Sequence, residues 1–159
     1  KEPLLMNWLN KKVAESPYKL AIIGGIVIAL VASVVMANVH SWFPSFDSEG
    51  LSAVDQLLAG PPLLVAVLLF TIVIVSPILE EVFFRKFLWW FSSFLFSQTT
   101  TLIVISVLFA AIHGSLFHAI GLLPISFFFG WLRIKTGSIK HCTMAHIANN
   151  AAASSLFFL

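Results

Sequence analysis

Residues 20–39 run for about five helical turns without one charged side chain. At ~1.5 Å rise per residue that is enough helix to cross a ~30 Å hydrocarbon core. In a bilayer every backbone N–H and C=O must be satisfied within the segment, so a run of this kind commits the chain to helical membrane structure. The rest of the sequence agrees: 59% of residues are hydrophobic and 10% charged, against about a quarter charged in ordinary soluble domains. The fold class expected is all-α, a polytopic transmembrane helical bundle of about five spans.

Those spans are expected at 20–39, 63–85, 101–117, 122–134 and from 139 to the end. Residues 86–96, with Trp89 and Trp90, read as an interfacial or inclined continuation of the second. Between the first two spans lies a polar, acidic stretch with Asp47, Glu49 and Asp55, punctuated by Pro44, Gly50, Gly60, Pro61 and Pro62, and suited to a short amphipathic helix over 51–58. Two units follow: residues 1–62, with the N-terminal segment, first span and acidic external loop, and residues 63–159, the core that carries the chemistry. The chain begins at Lys1 without a methionine, so the span count is read as a minimum.

All nine Lys and Arg residues fall before the first span, after the second, or between the fourth and fifth. An alternating five-span path puts them all on one side, which the positive-inside rule makes the cytoplasm. The N-terminus is then cytoplasmic and the acidic loop external, with a bacterial inner membrane as the expected location. A net charge of +2 and no basic patch give no basis for nucleic-acid binding. The one cysteine, Cys142, rules out an internal disulfide and any CxxC site, and reads as a small core residue.

Within this apolar frame a few polar residues require a reason. Glu80 and Glu81 sit near the end of the second span, where each charge costs up to roughly 2.5 to 3.5 kcal/mol at the bilayer centre. Glu81 and Arg85 are four apart on a helix and form a natural ion pair. Glu80 is turned by about 100° from that partner and is free to act as a base. Pro77, lacking an N–H, should kink the helix just before the pair. His113 falls within the third expected span, near mid-membrane. His146 and Asn150 are i and i+4 on the fifth, sharing a face. Asn149 is turned away from that face and reads as helix-packing glue. His118 and His141 read as interfacial, and Ser115 lacks the pattern of a nucleophile elbow.

One carboxylate pair, two histidines and an asparagine on three helices permit hydrolysis. Glu80, helped by His113, polarises a water, and His146 with Asn150 donates to the developing oxyanion. The same donors Glu80, His113 and His146 are the set for a divalent metal such as zinc if one is used, although no HExxH signature is present. Residue chemistry alone leaves these two routes open.

In order, Glu80–Arg85 fits EExxxR, Phe109–His113 fits FxxxH and His146–Asn150 fits HxxxN. This trio resembles the CPBP family, the CAAX proteases and bacteriocin-processing enzymes also called Abi. The Thr136-Gly137-Ser138-Ile139 turn adds to the resemblance, which extends over about 77–153. Lys86 stands where that family usually has a small residue such as glycine. The resemblance implies an all-helical intramembrane endopeptidase acting on peptide or membrane-protein substrates in the lipid bilayer. Glu80 would activate water, with Glu81 and Arg85 in support, His113 as its partner, and His146 with Asn150 at the oxyanion. The family has been described both as metalloproteases and as glutamate-type proteases. The rival readings are a non-catalytic bacteriocin-immunity type of binding protein, which needs no working base, and a small proton-relaying transporter, for which the first and fourth spans offer almost no polar path.

Overall fold

The structure, a computed structural model, describes residues 16–43, 59–113 and 116–156. Among the described residues there are five helices and no strands: α1 Pro17–Trp42, α2 Pro62–Ser92, α3 Gln98–Ala111, α4 Leu116–Thr136 and α5 Ile139–Ser155. Three of them, α1, α2 and α4, are long and apolar enough to cross a membrane, and α3 is a shorter apolar helix. The protein is an integral membrane protein with an all-α fold. The amphipathic helix expected over 51–58, the acidic residues Asp47, Glu49 and Asp55, and Ser115 lie outside the described residues.

Local chemistry sets the helix starts. Pro17 and Pro62 occupy the first turns of α1 and α2, where a missing N–H costs nothing. The Ser97 side chain accepts from Thr100 N–H at the start of α3, and that of Ser138 accepts from Lys140 N–H at the start of α5. Gly137, with φ of 66°, makes the left-handed turn that lets α4 end and α5 begin.

Two boundaries differ from the hydropathy pattern. The second helix does not stop at 85 but runs unbroken to Ser92, so the Trp-rich stretch begins as the continuation expected of it. The third helix ends at Ala111, leaving Ile112 and His113 in a turn, and α4 begins at 116, not 122. Apolar residues continue through this break, so hydropathy merges the end of α3 with the start of α4. With 14 residues, α3 is about 21 Å long, shorter than a ~30 Å hydrocarbon core.

The core has two parts. Trp89, Ile105 and Phe109 join α2 to α3. Ala21, Ile125, Phe129, Leu132, Cys142 and Ala145 join α1, α4 and α5. Helix α1 packs most extensively on α5, through a face of small residues, Ala21, Gly25 and Ala29. Small residues let membrane helices approach closely, which matters where lipid tails are as apolar as the protein. A Cβ on Gly25 would collide with the carbonyl of Ala145. Gly25→Leu should therefore force α1 from α5 at a cost of ~1–3 kcal/mol or more, read as a lower thermal midpoint in detergent. An unchanged midpoint would show that this contact does not hold the bundle.

Candidate active site

Helix α2 is not a regular α-helix where it carries the carboxylates. The α-helical turn Ser76–Glu81 is bounded by two π-helical segments, Thr71–Val75 and Val82–Leu88. Pro77 explains the first. Ser76 N–H reaches back five residues to Thr71 C=O, passing over Ile72, and Pro77 has no N–H to offer Ile72 either. The Ile72 carbonyl is thus left without a partner in its own helix, and the Asn150 side-chain amide of α5 donates to it at 3.0 Å. Pro77 is accommodated by the widened turn together with a side chain from α5.

One turn later Glu81 and Arg85 are both fully buried. Arg85 Nη1 donates to Glu81 Oε1 at 3.1 Å, the i,i+4 pair expected from spacing. The other guanidinium nitrogen donates to Ser126 of α4, to the hydroxyl at 2.6 Å and the carbonyl at 3.0 Å. The guanidinium also lies over the Phe109 ring, 4.6 Å from its centroid, with Phe84 and Phe129 beyond. Lys86 points outward and is exposed, so the larger side chain at that position does not enter the packing.

His146 links this buried pair to the open part of the site. Its Nδ1 is 3.0 Å from Glu81 Oε1 and its Nε2 is 3.8 Å from Glu80 Oε2. The imidazole stacks on Phe129, 4.7 Å between centroids, and meets Phe109 edge-on. Glu80, one residue from Glu81, is only partly buried and its Oε2 has no hydrogen-bond partner. His113, in the turn after α3, is exposed. Its Nδ1 lies 2.7 Å from Phe109 C=O. A carbonyl can only accept, so Nδ1 carries the proton and Nε2 of the neutral ring is an acceptor.

Glu80, His113, His146 and Asn150 all line one cavity of about 270 Å³. Ser76 and Asn149 add polar groups to its wall, and Ile72, Phe109, Leu122 and Ile125 make the rest apolar. Glu81 and Arg85 lie behind that lining. Asn149 donates from its amide to Asn150 Oδ1 at 3.1 Å, so it contributes to the cavity as well as to helix packing. Ser126 and the Ile72 carbonyl were not legible as site groups. A serine in an apolar helix, and a proline five residues after Ile72, were the signals available. His141 stays away from the cavity, its ring tilted against that of Tyr18 with centroids 4.4 Å apart, and Cys142 is fully buried with its thiol on Phe129 C=O.

Among the described residues no group of three His, Cys, Asp or Glu side chains is arranged to hold a metal ion. Glu80, His113 and His146 share the cavity without forming such a set.

Residues 61–152, more than half of the chain and all of this cavity's lining, match the family model for type II CAAX prenyl endopeptidase, Rce1-like. The chain belongs to the Rce1-like family. It is accordingly a CAAX-type intramembrane protease in general class, a peptidase whose peptide substrate is met within the lipid bilayer. Comparison with curated proteins found no match, and neither did comparison with solved structures. Helix α1 lies outside the matched residues but packs directly on α5, which carries His146 and Asn150.

Proposed function

We propose that this Rce1-like protein hydrolyses peptide bonds of membrane-associated substrates with a water activated by Glu80. The observation that carries the reading is the cavity shared by Glu80, His113, His146 and Asn150. Glu80 is its one carboxylate with an unbonded oxygen, placed to take a proton from water and return it to the leaving amine. His113 Nε2, an acceptor by the tautomer argument, helps to orient that water. For the oxyanion role His146 needs an N–H on each ring nitrogen. In that form Nδ1 donates to Glu81 while Nε2 faces the cavity to donate to the developing oxyanion. Asn150 holds one amide N–H on Ile72 C=O and has a second for the same oxyanion.

An adjoining apolar cavity of about 280 Å³, walled by Ala29, Ala32, Met36 and Gly121, shares Leu122, Ile125 and Asn149 with the first. It suits an apolar part of the substrate. By the positive-inside rule the N-terminus and the site face the cytoplasm, in a bacterial inner membrane. A bacteriocin-immunity binding role is the alternative, and it would leave peptide intact.

The test is purified protein in liposomes with a membrane-anchored peptide reporter, the products read by mass spectrometry. Cleavage is expected, and intact reporter would overturn the catalytic reading. Because no step is assigned to a metal, activity should persist after EDTA treatment to within about twofold. Loss on chelation with recovery on added Zn²⁺ would overturn the glutamate-type mechanism.

A further inference from the structure

The second π segment repeats the logic of the first. Trp89 N–H reaches Phe84 C=O, five residues back, and also contacts Lys86 C=O, passing over Arg85. The carbonyl passed over is again taken by a side chain from another helix: Arg133 of α4 donates from Nε to Arg85 C=O at 3.2 Å. Both irregular turns of α2 therefore have a bypassed carbonyl held from outside, Ile72 by Asn150 and Arg85 by Arg133. Between them lies the short turn bearing Glu80 and Glu81.

We infer that Arg133 is a positioning residue for the carboxylate pair, acting through the main-chain carbonyl of Arg85. The inference rests on the catalytic reading of Glu80. A π turn holds one residue more than an α turn, so conversion to α geometry rotates the helix on one side relative to the other by about 100°. Beyond the turn Trp89 packs in the core with Ile105 and Phe109, so a change of register that keeps this contact turns the side with Glu80 and Glu81. Such a rotation takes Glu80 away from His146. The main chain alone gives no preference for the wide turn, since π geometry is rarer than α. The charged Nε–H donor on the bypassed carbonyl supplies that preference. Arg133 does not line the cavity and touches no reacting group.

The experiment pairs kinetics with a direct measure of register. Arg133→Ala and Arg133→Lys are assayed in liposomes on the reporter. Spin labels placed at Phe83 and Ile103, both about half exposed, report the rotation of α2 against α3, while the buried Cys142 stays unlabelled. Arg133→Ala should lower kcat roughly tenfold to hundredfold, as expected for losing a charge-assisted hydrogen bond, with KM changed by no more than about twofold. It should also shift or broaden the label distance. Arg133→Lys, which keeps a cationic donor, should recover both. If the alanine variant does not accumulate in the membrane, Arg133→Met keeps the stem without the donor and takes its place. A wild-type distance in the donorless variant overturns the inference, whatever the activity. So does a reduced kcat that lysine restores with no change in distance. A protein with no cleavage in its wild-type form would instead defeat the catalytic reading, and the label distance would still decide the positioning role.

Discussion

Glu80→Gln is expected to insert and fold like the wild type and to cleave the membrane-anchored reporter roughly a thousandfold more slowly, within the ~10²–10⁴-fold range of general acid–base catalysis. Glutamine keeps the size and one carbonyl oxygen but cannot accept a proton at neutral pH. The side chain is 26% exposed and its Oε2 bonds to nothing, so the amide breaks no existing hydrogen bond at that atom. Stability should therefore stay within about 0.5 kcal/mol while activity collapses. His113→Gln should lose less, since that ring orients the water and is not the final proton acceptor. Cleavage by Glu80→Gln at anything near the wild-type rate would show that another group takes the proton.

How much of this site could be read from the chain varies by residue. Glu81 with Arg85, and His146 with Asn150, are i,i+4 pairs, and helix periodicity alone puts each on one face. The pairing of α2 with α5 is different, because Glu81 and His146 are 65 positions apart and nothing in their spacing records the 3.0 Å contact. Apolar residues continue past His113 and would carry it inside a span, whereas the helix ends two residues earlier and the ring enters the cavity from a turn. Pro77 announced a disturbance but not its form. A kink was the expectation, and a π turn whose freed carbonyl is taken by Asn150 is the outcome. That step depends on a side chain from another helix, so no window of sequence around Pro77 contains it. Arg133 was legible only as a positive charge at the end of a span, which fixes topology and says nothing of the carbonyl it reaches.

The largest stability effect should come from Arg85, not from the residue that does the chemistry. Glu81 and Arg85 have no exposed surface, and the carboxylate is also bonded to His146. Arg85→Met leaves Glu81 buried beside aromatic rings with His146 but without its guanidinium, and Ser126 deprived of its donor, which should cost ~3–5 kcal/mol. In a domain whose whole stability is of order 5–15 kcal/mol, that variant is expected to accumulate poorly and melt far below wild type in detergent. The double variant Arg85→Met with Glu81→Leu removes both charges and should recover most of the lost stability, because apolar replacements of a buried pair are often neutral or better. It should nonetheless stay nearly inactive. Without Glu81 the imidazole of His146 has no acceptor at Nδ1, so neither its orientation nor a cavity-facing donor is enforced. Measured side by side, thermal midpoint and cleavage rate separate the two roles of the buried pair. An active double variant would show that the pair serves folding alone, and a double variant as unstable as Arg85→Met would show that Ser126 and the aromatic rings, not the carboxylate deprived of its guanidinium, set the cost.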